Sequence, residues 1–202
     1  MWLIFFLKIY LPLYLVAYVG LAFVLPSYRI YKQTGINPVT FGSEDNAHNY
    51  IGLQMKVFTA LLAIAIGLFS FSEVAYQYLM PIPYLVLSSV FWSGFILIHL
   101  SLVWIIIAQF NLGRSWRIGI DEANPTELKQ EGLYRLSRNP IFFGMIFSLL
   151  GLFLALPNLL TAICFVSAWL LIQIQVRLEE EFLLRQHGAA YLAYKTKVRR
   201  WI

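Results

Sequence analysis

Two polar segments in the second half of the chain carry the residue types that do chemistry. The first runs from Leu112-Gly113-Arg114-Ser115-Trp116 to Glu131-Gly132-Leu133-Tyr134-Arg135-Leu136-Ser137-Arg138-Asn139-Pro140, and the second is Arg177-Leu178-Glu179-Glu180-Glu181. Three consecutive carboxylates repel one another, and holding any of them beside hydrocarbon is costly unless a cation compensates. The cation is either an arginine of the chain, with Arg138, Arg177 and Arg200 as candidates, or a positively charged ligand. A plainer reading makes Glu179, Glu180 and Glu181 the acidic first turn of a helix, where they favour the helix dipole. For each arginine the plain reading is an ion pair with these glutamates or an anchor to lipid headgroups.

These segments flank apolar chain that must position them. Of the 202 residues, 60% are hydrophobic and 12% charged, against roughly 45–50% and 25% in a soluble domain. The apolar residues fall in four runs, 2–24, 51–71, 83–110 and 141–176, and about 18 such residues suffice to cross a bilayer as a helix. Pro157-Asn158 interrupts the last run and reads as a turn. Its first arm, 141–156, would rise only about 24 Å, so the pair forms a tight, tilted hairpin. The expected fold is an all-α integral membrane protein of about five transmembrane helices, the last two a hairpin, followed by a C-terminal amphipathic helix broken near Gly188. The first run is long, lacks a basic start and ends at Leu25-Pro26, so it is read as a retained helix. No repeat or linker divides the chain. It is expected to be a single membrane domain, with 1–110 supplying three N-terminal helices and 111–202 the chemistry.

The hairpin leaves and returns, so Arg138-Asn139-Pro140 meets Glu179-Glu180 at one end, forming a polar pocket roofed by hydrocarbon. Lys and Arg concentrate in 27–50, 111–140 and 177–202, whereas the alternate connections keep only Lys8 and few other charges. That bias places the C-terminus and the polar pocket in the cytoplasm and the N-terminus outside. The net charge of +5 is used by this topology and by anionic headgroups, so no nucleic-acid partner is expected. Cys164 lies inside an apolar run and reads as a buried structural thiol. His99, within the third run, has no neighbouring ligand and reads as a hydrogen-bonded neutral imidazole; no metal is expected. Trp2, Tyr10, Tyr28, Tyr31, Trp92 and Trp104 read as interface or packing aromatics.

Gly132-x-Tyr134-x-x-x-Arg138-Asn139-Pro140-x-Phe142-x-Gly144 resembles the G-x-Y-x-x-x-R-H-P-x-Y-x-G signature of the isoprenylcysteine carboxyl methyltransferase family, among the phospholipid methyltransferase-like membrane enzymes. The tail is similar to the family's ending: Glu179-Glu180-x-x-Leu183, then Gly188-x-x-Tyr191-x-x-Tyr194-x-x-x-Val198-x-Arg200. The resemblance covers about the last 90 residues, from Leu112-Gly113-x-x-Trp116 onward. It implies an S-adenosylmethionine-dependent methyltransferase with the cofactor enclosed between the Arg138-Asn139-Pro140 segment and the glutamate pair. The implied cofactor contacts are Tyr134, Asn139, Pro140, Phe142, Gly144, Glu179, Glu180 and Tyr191.

Asn139 stands where the family has His, and Phe142 where it has Tyr. Asn keeps a donor and an acceptor but does not titrate near neutral pH, and Phe keeps only the aromatic face. The implied acceptor is lipid-like or prenylated. For the carboxylate of an isoprenylcysteine, an arginine would orient the acceptor bidentately, with Arg138 and Arg200 as the catalytic candidates and Arg177 in reserve. A phospholipid amine or small thiol is the alternative acceptor. A non-catalytic assembly or transport protein stands beside these, with a membrane reductase as a weaker reading. Gly144, Ser148, Gly151 and Ala155 form a small-residue stripe for close helix packing.

Overall fold

The computed structural model describes residues 2–202, with side chains from Ile4 on; the side chain of Trp2 lies outside the described residues. Among those residues every regular element is helical, and the extended pairing amounts to two isolated bridges. Helix α1 (Trp2–Val19) passes through a π-helical turn, Gly20–Val24, into α2 (Leu25–Thr34). The helix therefore does not stop at Leu25-Pro26. Pro26 occupies the first turn of α2, where its missing N–H and fixed φ are tolerated. Pro26 has no N–H for the Ala22 carbonyl four residues before it, and that carbonyl accepts Gln109 Nε2 at 2.6 Å. Arg29, one turn into α2, lies 4.5 Å over the Phe110 ring.

Helix α3 (Ala47–Phe71) starts at an Asn46 cap whose side chain accepts Asn49 N–H. The short α4 (Glu73–Gln77) leads to α5 (Ser88–Leu112), and a long connection then reaches α6 (Pro140–Ala155). The hairpin turn falls where the sequence places it. Asn158 caps α7 (Leu159–His187) by accepting Thr161 N–H at 2.9 Å, while Thr161 Oγ1 accepts Asn158 N–H at 3.3 Å. The chain ends in α8 (Ala189–Lys197).

Four helical stretches are long and apolar enough to cross a membrane: Ile4–Thr34, Ala47–Phe71, Ser88–Ser115 and Leu159–His187. The fifth, α6, has 16 residues and rises only about 24 Å. The helices contact one another in a closed circuit: α1 with α3, α3 with α7, α7 with α6, α6 with α5, and α5 with the π turn. Leu11, Ile66, Ile98, Leu156 and Cys164 fill the centre. Large apolar side chains face outward, with Phe71 86% and Val16 72% exposed, as a lipid-solvated surface requires.

The α5–α6 seam is the tightest. Gly144, Ser148, Gly151 and Ala155 are all buried on the α6 side, and a Cβ on Gly94 of α5 would sit 2.6 Å from the Gly151 carbonyl oxygen and from Ala155 N. Such backbone approach is how helices associate when lipid removes the hydrophobic drive. His99 Nε2 shares a hydrogen bond with the Tyr10 hydroxyl of α1, and Nδ1 faces the Phe95 carbonyl at 2.6 Å. Because that carbonyl only accepts, Nδ1 carries a proton, and the ring ties α1 to α5.

The polar connections sort to the two ends of the bundle. At one end Lys8 pairs with Glu73, and Ile82 N–H reaches Pro157 O. At the other, Thr40 and Ile118 share main-chain bonds, and Gln186 of α7 donates to Thr126 O.

Candidate functional site

From Leu159, a helix crosses about 30 Å in 20 residues, which brings Glu179 and Glu180 of α7 to the membrane boundary. Helix α7 runs through them to His187, so the three glutamates do not begin a helix. Successive side chains turn by about 100° around a helix, and that rotation separates three carboxylates that would otherwise repel. Glu180 points into protein, Glu179 reaches back along its own helix, and Glu181 is exposed.

Glu180 is 5% exposed and saturated with donors. Arg138 reaches its Oε1 from Nε at 3.2 Å and Nη2 at 3.0 Å, Arg200 places Nε 3.1 Å from Oε1 and Nη2 2.8 Å from Oε2, and Asn139 Nδ2 adds a bond of 3.2 Å. Hydrogen bonding to Glu180 raises Arg200 above its ordinary guanidinium range. Main-chain carbonyls of the tail complete the knot. Arg138 Nη1 donates to Val198 O, Ser137 Oγ to Arg200 O at 3.0 Å, and Arg138 N–H to Arg199 O at 2.9 Å. The structure thus brings Arg138, Asn139, Glu180 and Arg200 together, with both arginines committed to Glu180. Arg177 lies elsewhere, folded back on Gln173.

The segment ahead of α6 is set by Gly132, whose φ of +58° opens a 3₁₀ turn, Gly132–Arg135. Asn111 Oδ1 accepts Leu133 N–H at 2.9 Å. The turn buries Tyr134, whose carbonyl accepts the Tyr194 hydroxyl at 2.6 Å. Burial first, and then the Glu179 charge, raise the Tyr134 hydroxyl above its ordinary range. Tyr191 is 1% exposed; burial pushes its hydroxyl up to about 12, and it lies against Arg138 without a well-formed hydrogen bond. Both phenols therefore stay protonated and able to donate at neutral pH.

Glu179 has a different environment from Glu180. Among the described residues no Lys or Arg lies within 4.0 Å of its carboxylate. Its recorded partner is Gln175 Nε2 at 2.9 Å. Pro140 and Gly144 are buried, Gly144 against Ile105 and Trp104, while Phe142 is half-buried. One turn beyond Glu179, a cleft of about 270 Å³ opens between Phe182, Arg185, Gln186, Glu122 and Pro125.

Sequence reasoning gave Trp104 no site role, yet its indole donates to Pro140 O at 2.9 Å. Gln175 and Ser137 were also missed. Gln175 was detectable as a polar residue in an apolar run, four positions before Glu179. The tail carbonyls had no sequence signal, because every residue carries one.

A family model described as phospholipid methyltransferase matches residues 88–190, from the start of α5 to the start of α8. The chain belongs to that family. The match takes in Arg138 through Gly144 and the three glutamates; Tyr191 and Arg200 lie beyond it. No curated protein matches the chain. Membership makes this a membrane methyltransferase.

The connection between α5 and α6 is pinned by Asp121. Its carboxylate accepts Arg117 Nε at 3.0 Å and both the main-chain and side-chain N–H groups of Asn124. Burial alone would raise the Asp121 pKa, but these donors outweigh it and hold the group below its ordinary 3.8. A depressed folded pKa stabilises the loop above the unfolded value and loses that stabilisation as pH falls through the folded one. Acid titration to below about pH 4 is expected to release residues 116–124, seen as lost hydrogen-exchange protection after correction for intrinsic rates. Asp121→Asn should flatten that pH dependence; an unchanged profile in the variant would remove Asp121 as its source.

Proposed function

We propose that this protein transfers a methyl group from S-adenosylmethionine to a lipid-like acceptor at the cytoplasmic boundary of the membrane. The observation that carries the reading is the division of labour between adjacent glutamates. Glu180 is neutralised by two arginines and closes the tail over the site. Glu179 keeps a half-buried carboxylate with no arginine or lysine beside it, near the buried phenol of Tyr134, while the Tyr191 phenol lies on the Glu180 side. A cationic, hydrogen-bonding ligand fits that donor and acceptor set. Glu179, Tyr134, Tyr191 and Asn139 would hold polar parts of the cofactor, with Phe142, Pro140 and Gly144 packing on it and Glu180 acting through its arginines. The bound cofactor supplies an electrophilic methyl on a sulfonium; the chain supplies alignment and a dry surrounding.

The cytoplasmic assignment rests on the Lys/Arg bias of the end that holds the site, and the methyltransferase core on residues 111–202. Between acceptors, an amine-bearing lipid fits better than an isoprenylcysteine carboxylate. The arginines that would orient a carboxylate are engaged by Glu180, and the group left without a cation is itself a carboxylate.

Calorimetric titration of S-adenosylmethionine into detergent-solubilised protein tests the reading. Wild type should bind saturably and Glu179→Gln at least about tenfold more weakly, a difference of about 1.4 kcal/mol. A folded wild type that shows no binding would end the proposal.

A further inference from the structure

We propose that Gln175 is a specificity-determining residue, forming with Glu179 a paired-acceptor edge that selects a cation bearing N–H groups, a primary ammonium. The inference rests on the methyltransferase reading only for the identity of its ligands. Gln175 lies on α7, 3% exposed, and residues four apart share a helix face. Gln175 turns its NH₂ toward Glu179, with Nε2 donating to the carboxylate at 2.9 Å, the orientation that the ionised, accept-only form of that group requires. That contact fixes the other half of the amide: Gln175 Oε1 is buried and has no donor among the described residues.

Native proteins rarely leave such an oxygen unpaired, and an exception of this kind marks a group awaiting a partner. The partner must satisfy two demands. It must bring N–H or O–H to a buried carbonyl oxygen, and it must offset the neighbouring carboxylate, which has no arginine or lysine within 4.0 Å among the described residues. A sulfonium or a quaternary ammonium meets the second demand but carries no donor. A hydroxyl meets the first but not the second. A primary ammonium meets both, with three donors and a full charge. It could belong to the amino-acid end of the cofactor or to the headgroup of an amine-bearing phospholipid. In the second case the edge would hold a primary amine and lose its grip as methyl groups replace the N–H bonds.

Two calorimetric arms on detergent-solubilised protein distinguish the sources. The first compares S-adenosylhomocysteine with its deaminated analogue. The second compares dihexanoyl phosphatidylethanolamine with dihexanoyl phosphatidylcholine. At least tenfold preference for the N–H-bearing ligand is expected in one arm, falling below threefold in Gln175→Met while the other ligand of that arm binds as before. Glu179→Gln must erase the same preference, which keeps the test intact if Gln175→Met folds poorly. No preference in either arm of the wild type, or one that survives both substitutions, overturns the proposal. If neither adenosyl ligand binds while the amine lipid is preferred, the cofactor reading falls and the paired-acceptor edge stands. If both adenosyl ligands bind equally and the lipids do too, the edge falls and the cofactor reading stands.

Discussion

Replacing Glu180 with alanine should destabilise the protein by about 3–5 kcal/mol, the range for removing one partner of a buried ion pair. The loss is of an acceptor rather than of one bond. Arg138 keeps 7% of its side chain exposed and would face its own tail carbonyls with its charge uncompensated. Arg200 is 29% exposed and recovers some hydration by swinging outward, which moves the expected cost toward the lower end. Glu180→Gln retains one acceptor and should lose less. Denaturation midpoints in detergent read the stability, and limited proteolysis reads the tail: with residues 198–200 released, cleavage after α8 should accelerate. A Glu180→Ala protein with wild-type midpoint and protease resistance would show that the knot contributes nothing to the fold.

The second large effect is at the α5–α6 seam. Gly94→Val should cost about 3 kcal/mol or more, at or beyond the usual upper range for overpacking, because the atoms met at 2.6 Å are backbone and cannot swing aside. The helices must separate, and the small residues Gly151 and Ala155 then lose the contact that makes them useful. Gly67 supplies the contrast. An added Cβ there meets nothing within 4 Å, so Gly67→Ala should be neutral or gain about 0.5–1 kcal/mol from helix propensity. Comparable melting of the two variants would refute the packing argument.

Much of this architecture was legible in sequence because the bilayer imposes length and hydropathy on each crossing. The hairpin turn at Pro157-Asn158, the small-residue stripe of α6 and the meeting of Arg138 with Glu180 all followed from one-dimensional patterns. Two features did not. Pro26 looked like a helix stop, yet the rod runs on through it, and the Ala22 carbonyl that Pro26 cannot bond is taken up by Gln109. The three glutamates looked like one charge cluster, but helical rotation gives each a separate environment, and only spatial neighbours reveal which is neutralised. The same holds for Gln175, whose polarity was visible while its orphaned oxygen was not.

The wide turn at Gly20–Val24 has a consequence for register. Residues four apart drift around an α-helix, so an unbroken rod whose upper part keeps Tyr10 on His99 would carry its lower part progressively off α5. One slack turn resets that phase, and Gln109 takes up the Ala22 carbonyl that Pro26 leaves without a donor. The two halves of the rod are thereby keyed to α5 independently, the upper at His99 and the lower at Phe110, so a change in one need not rotate the other.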